Sequence, residues 1–145
     1  MKACEEFIWS DWIPLTKLDD VKCGLLGRGV FVIGAGLQSG KPVPIQRVLG
    51  RDTQGIIYVG EGVLARKIGV LLNFVREDCD NRVHFATEFF ANMCLSRIFD
   101  SRFLLVRWCE SENPRGAESK VLDSYMSEFG ELPPGNTQPD VNYVG

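Results

Sequence analysis

The sequence predicts an α+β fold, with a small, mainly antiparallel central sheet flanked by helices. Three observations predict it. Short β-branched and aromatic runs recur at 30–33, 56–59 and 103–108. Stretches of apolar residues at helical spacing alternate with them. The connections are too short for every strand pair to be joined by a parallel crossover, which leaves antiparallel pairing. The 145 residues, 45% hydrophobic and 24% charged, suit a single domain over 1–145 with one sizeable core.

The elements follow in chain order. Residues 1–27 read as an N-terminal arm in which Trp9 and Trp12 cover the core, with Pro14 opposing a long helix. Residues 30–33 form the first strand. Gly34, Gly36, Gly40 and Lys41 follow it, but Pro42 stands where a phosphate-binding loop needs Ser or Thr and a helix, so this piece reads as a turn. Residues 45–49 are a second strand or part of a long hairpin, 50–55 a turn and 56–59 a strand. Leu64, Ile68, Leu71, Leu72 and Val75 mark one face of a helix, which Gly69 weakens. Residues 77–82 form a charged loop. Ala86, Phe89, Phe90, Met93, Cys94 and Arg97 mark a second helix from about residue 85, and 103–108 is a buried strand. Residues 110–115 read as a loop containing Asn113-Pro114. Ala117, Val121, Leu122, Tyr125 and Phe129 mark a third helix, ended by Gly130 and Pro133. Residues 131–145 are a Pro-rich tail without a core pattern.

Composition removes several function classes. The five cysteines are odd in number and include no CxxC pair, against a disulfide framework or a zinc ribbon. A single histidine opposes a His-rich zinc site. No apolar run approaches the ~20 residues that span a bilayer, and the first residues lack a signal-peptide apolar region, so a cytoplasmic protein without membrane partners is expected. The net charge of −3 does not advertise nucleic-acid binding. Its distribution is more suggestive, with Arg47, Arg51, Arg66, Lys67 and Arg76 gathered in the middle of the chain.

Gly29-Val30-Phe31 followed by Tyr58-Val59-Gly60 resembles the two halves of the GIY-YIG nuclease signature. Further elements follow in matching order. A helix bearing Arg66 and Lys67 comes next, then Leu105-Val106-Arg107-Trp108, then Ala117-Glu118 in a helix, then Phe129-Gly130-Glu131-Leu132-Pro133-Pro134 and Asn136. The resemblance runs from about Trp12 to Asn136. It implies a metal-dependent endonuclease that hydrolyses nucleic-acid phosphodiester bonds, DNA before RNA, with one Mg²⁺ or Mn²⁺. By the same resemblance Tyr58 lies near the attacking water, and Arg66 matches the arginine that stabilises the phosphate, with Lys67 competing for that role. Glu118 matches the single metal-binding carboxylate, Asn136 the asparagine that supports the site, and His84 a histidine frequent in this branch. One departure stands out. Phe31 replaces the first tyrosine of the signature and offers no hydroxyl. The alternative is therefore a catalytically weak or inactive module of the same fold that binds nucleic acid or protein. No DNA-reading module is visible, so specificity would fall to loops, a homodimer or a protein partner.

The chemistry suits these residue types. Phosphodiester hydrolysis needs a positioned water, a proton acceptor, and positive charge where the phosphorane develops. A carboxylate-held cation and an arginine or lysine supply that charge. Each residue also has an ordinary role. Tyr58 fits a strand surface, Arg66 and Lys67 a solvated helix face, Glu118 a helix N-terminus and Asn136 a turn.

Overall fold

The most fully buried strand lies at the centre of the sheet. In the computed structural model, residues 7–18, 27–76 and 98–136 are described, with backbone alone at 73–76. Strand β2 (Arg28–Gly34) is buried from Gly29 onward. It can be apolar at every position because helices cover both faces of the sheet, so no polar alternation is required. Its antiparallel neighbours are β5 (Ile56–Val63) and β6 (Leu105–Glu110). A two-residue strand, β1 (Ile13–Pro14), pairs with the outer side of β6. The order β1-β6-β2-β5 leaves β5 at one edge, and the expected α+β class with an antiparallel sheet is the one observed.

Two helices sandwich this sheet. Helix α1 (Leu64–Arg76) follows β5 directly, and its Leu64, Ile68, Leu71 and Leu72 pack with Phe31, Ile33, Ile57, Val106 and Trp108. Helix α2 (Pro114–Phe129) covers the opposite face, where Ala117, Val121, Tyr125 and Phe129 meet Val30, Val32, Ile56 and Val59. It begins three residues earlier than its apolar pattern indicates. Asn113, expected in a loop, is the N-cap and accepts from the Gly116 N–H at 3.1 Å, and Pro114 occupies the first turn. Gly130 closes the helix in the left-handed region, donating its N–H to the Met126 carbonyl at 2.8 Å.

Between β2 and β5 the chain makes two reversals. The Gly40-Lys41 piece is a tight turn, with Gly40 at φ +83° and the Leu37 N–H bonded to the Lys41 carbonyl. A hairpin follows, β3 (Ile45–Gln46) with β4 (Arg51–Asp52), the hairpin alternative for 45–49, with its second strand inside the stretch expected to be a turn at 50–55. The arm at 7–14 is extended, as expected. Trp9 and Trp12 pack on the α2 side and hold the Arg107 guanidinium, which lies 4.9 and 4.8 Å from their ring centroids. The Arg107 Nη2 also donates to Gln54 Oε1 at 2.7 Å. Cys109 is a buried free thiol. The helix expected from about residue 85, together with His84, lies outside the described residues. No helix among the described residues is long and apolar enough to cross a membrane.

Candidate functional site

The sequence explains how the free edge of β5 comes to carry polar groups. The pairing of β2 with β5 shifts between Ile33 and Gly34, so Ile57 is an extra residue in the strand. This bulge turns both Ile57 and Tyr58 toward the α1 side. Tyr58 is half-buried, its ring 6.0 Å from that of Phe31. Gly60 is required here, because a Cβ would overlap the rings of Phe31 and Tyr58. Phe31, 1% exposed, is thus the floor beneath Tyr58 rather than a polar member of the site.

Strand β5 continues past Gly60, four residues further than its apolar run. That extension brings in Glu61, which pairs with Val30 and is half-exposed. Helix α2 runs antiparallel to β5. Its later part is fixed by Tyr125, whose hydroxyl donates to Asp52 Oδ2 at 2.9 Å, and the same oxygen accepts from the Ile56 N–H at 2.9 Å. Glu118 lies seven residues earlier, about 10 Å back along the axis, toward the Glu61 end of the strand.

The electrostatics follow this convergence. The Glu118 carboxyl is held above the usual carboxylate range, first by burial and then by the charge of Glu61, with Lys67 and Arg115 opposing. Burial pushes the Tyr58 phenol well above its ordinary value, and Glu118 and Glu61 add to the effect. Two carboxylates, a phenol and an ammonium from β5, α1 and α2 therefore share one local field. A free tyrosinate is disfavoured at neutral pH, so Tyr58 carries a neutral hydroxyl.

The helix geometry separates Arg66 from Lys67. At about 100° per residue, Arg66 lies about 200° round α1 from buried Leu64, facing away from the sheet. Lys67 lies about 60° from Leu64 on the flank, and its aliphatic stem packs over Gly62. Both side chains are exposed, but of the two only Lys67, with Arg115 of α2, is among the cations that act on Glu118. The wheel drawn from the sequence carries this signal, because Leu64, Ile68, Leu71 and Leu72 mark the apolar face there. Glu61 had a weaker signal, because Gly60 and Gly62 suggest the end of a strand rather than its continuation.

Asn136 comes to the same strand from the tail. Its Oδ1 accepts from the Val59 N–H and its Nδ2 donates to the Val59 carbonyl, both at 2.9 Å. The side chain thus imitates a neighbouring strand and closes part of the β5 edge beside Tyr58. With both amide functions engaged on the backbone, Asn136 is a positioning residue. The tail is correspondingly ordered through a 3-10 turn at Pro134–Asn136, with Pro133 and Gly135 buried.

Among the described residues, no group of three or more His, Cys, Asp and Glu stands ready for a metal ion. The donors at this edge are Glu118 and Glu61, hard oxygen ligands of mutually unfavourable charge. That set fits Mg²⁺ or Mn²⁺, which bind through one or two carboxylates and complete their shell with water and phosphate oxygens. The chain matches no family model, no curated protein and no solved structure in comparisons with known proteins.

Proposed function

We propose that the chain is a small divalent-metal-dependent endonuclease of the GIY-YIG type, acting on nucleic-acid phosphodiester bonds, DNA before RNA. What supports this reading is that Tyr58 and Lys67 lie over Gly60 and Gly62 of one strand, and that the charge of Glu118 on α2 bears on Tyr58 while that of Lys67 bears on Glu118. The chain order of the sheet supports it: the strand with Gly29-Val30-Phe31 is central, the strand with Tyr58-Val59-Gly60 is its edge neighbour, and β6 lies on its other side.

Each residue then has a role. Tyr58, kept neutral, orients the attacking water or relays its proton through a hydrogen bond. Lys67 brings positive charge to the phosphate as negative charge develops. Glu118, with Glu61 beside it, would hold the cation. When bound, that cation supplies positive charge to the phosphoryl oxygens and the leaving group. Asn136 keeps the Tyr58–Gly60 backbone in place. Phe31 favours a second reading, a weak or inactive module that binds nucleic acid, because the floor of the site presents a ring without a hydroxyl.

Incubation of supercoiled plasmid with Mg²⁺ or Mn²⁺ separates the two. The nuclease reading expects metal-dependent nicking that falls at least about 100-fold in Glu118→Ala. Equal nicking by both proteins would contradict it. Salt-sensitive DNA binding without cutting would favour the module.

A further inference from the structure

The tip of the β3–β4 hairpin is built from unusual residues. Loops of this kind favour Gly, Asn, Asp and Ser, yet the turn is Arg47-Val48-Leu49-Gly50, with Val48 69% and Leu49 67% exposed. The tip is also held firmly. The Arg47 N–H donates to the Gly50 carbonyl at 2.8 Å, and the Leu49 N–H donates to the Phe129 carbonyl at the end of α2 at 3.0 Å. Arg47 forms an ion pair with Glu131, and its Nη2 donates to the Leu132 carbonyl at 2.6 Å. The inner edge of Leu49 rests over Gly130. At the base, Asp52 is anchored by Tyr125 and by the Gln54 and Ile56 N–H groups.

We infer that this hairpin is a wedge for duplex DNA, with Val48 and Leu49 entering a base step from the minor groove, along the duplex from the cleavage site. The inference rests on the nucleic-acid substrate of the proposed function and adds the way in which the duplex is engaged. Charge favours this occupant over a protein. With Arg47 paired to Glu131, the segment 35–55 still carries exposed Lys41 and Arg51 against one acid, Asp52, which is buried, in a chain of net charge −3. Arg51 is exposed next to the tip. Size favours it too. A stable protein interface buries roughly 800 Å² per partner, far more than two side chains on a turn offer. One or two apolar side chains are enough to unstack a base step and kink the duplex. The position also fits. From Leu49 the chain runs nine residues to Tyr58, a span of at most about 30 Å, so the tip and the candidate site lie within one duplex footprint.

Unstacking changes DNA twist, so a sequence-independent assay reads the wedge. Closed circular plasmid is relaxed by a type IB topoisomerase in EDTA, which withholds the metal from cleavage, in the presence of the full chain. The protein is then removed and plasmid topology is measured. The wild type is expected to leave a shifted linking number. Val48→Ser/Leu49→Ser should lose at least four-fifths of that shift and bind duplex about tenfold more weakly. Leu49→Phe, a larger wedge, should retain the shift. Thermal melting of each variant, expected within about 2 °C of wild type, separates this from loss of fold. An unchanged shift and affinity in the double serine variant would overturn the wedge and leave the nuclease reading standing. Binding by the wild type with no shift would overturn it in the same way. A wild-type dimer dispersed by the double variant would mark the tip as a contact between copies, also against the wedge. Wild-type protein that neither binds duplex nor nicks plasmid would remove both proposals together.

Discussion

Glu118 shows how a single residue can be read two ways by measurement. Its carboxyl is raised by burial and by Glu61, so ionising it works against the fold. The stabilising state is the protonated one. Its contribution is present below the ordinary carboxylate pKa and is lost as pH rises through the raised folded value. Glu118→Gln is therefore expected to raise the melting temperature at pH 7, with the gain shrinking as pH falls through the raised folded value and gone below the ordinary carboxylate range. The same substitution should abolish metal-dependent cleavage. Calorimetry from pH 4 to 8 checks the first expectation, and a constant or inverted difference would show that Glu118 is not in the field described. Opposite effects on stability and activity are the signature of a residue placed for chemistry rather than for folding.

The elements around the site depend on two polar anchors. Asp52, 2% exposed, accepts from Gln54 N–H, Ile56 N–H and Tyr125 O–H, and so ties the hairpin to β5 and α2. Asp52→Ala leaves all three donors buried or half-buried without that acceptor and is expected to cost about 3 kcal/mol. Tyr125→Phe removes one bond and should cost about 1–2 kcal/mol. Urea unfolding of both variants checks the order, and a larger cost for Tyr125→Phe would contradict it. Arg107 is the second anchor. Its guanidinium lies between Trp9 and Trp12, so Arg107→Ala should loosen the arm and cost about 1–2 kcal/mol. Trp fluorescence should shift to longer wavelength as the rings become wetter. Unchanged fluorescence would place the rings' support elsewhere.

At the scale of the whole molecule, the sheet and its helices were legible because their periods are local. The apolar run of β2, the face of α1 and the face of α2 each appear within a dozen residues. Features that depend on distant partners were not. β1 holds Pro14 and is only two residues long, so its pairing with β6 has no local signal. β5 runs through Gly60, whose place depends on the Phe31 ring across the sheet. Tyr58, Lys67, Glu118 and Asn136 were singled out by resemblance. Tyr58 lies in β5, Lys67 packs over its Gly62, Asn136 bonds its Val59 and the charge of Glu118 bears on Tyr58. Glu61 went unread because it becomes a site neighbour only when β5 is known to continue. The face that Leu64, Ile68, Leu71 and Leu72 mark in the sequence already separates Arg66 from Lys67, a choice the resemblance alone left open.

That separation is the most direct test of the assembled site, because the two adjacent cations point in different directions from the helix. Metal-dependent nicking of supercoiled plasmid should be compared for wild type, Lys67→Ala and Arg66→Ala. Lys67→Ala is expected to reduce the rate about 100-fold or more, and Arg66→Ala to leave it within about threefold. The reverse order, or equal rates in all three proteins, would contradict the convergence of Tyr58, Lys67 and Glu118 on a working site.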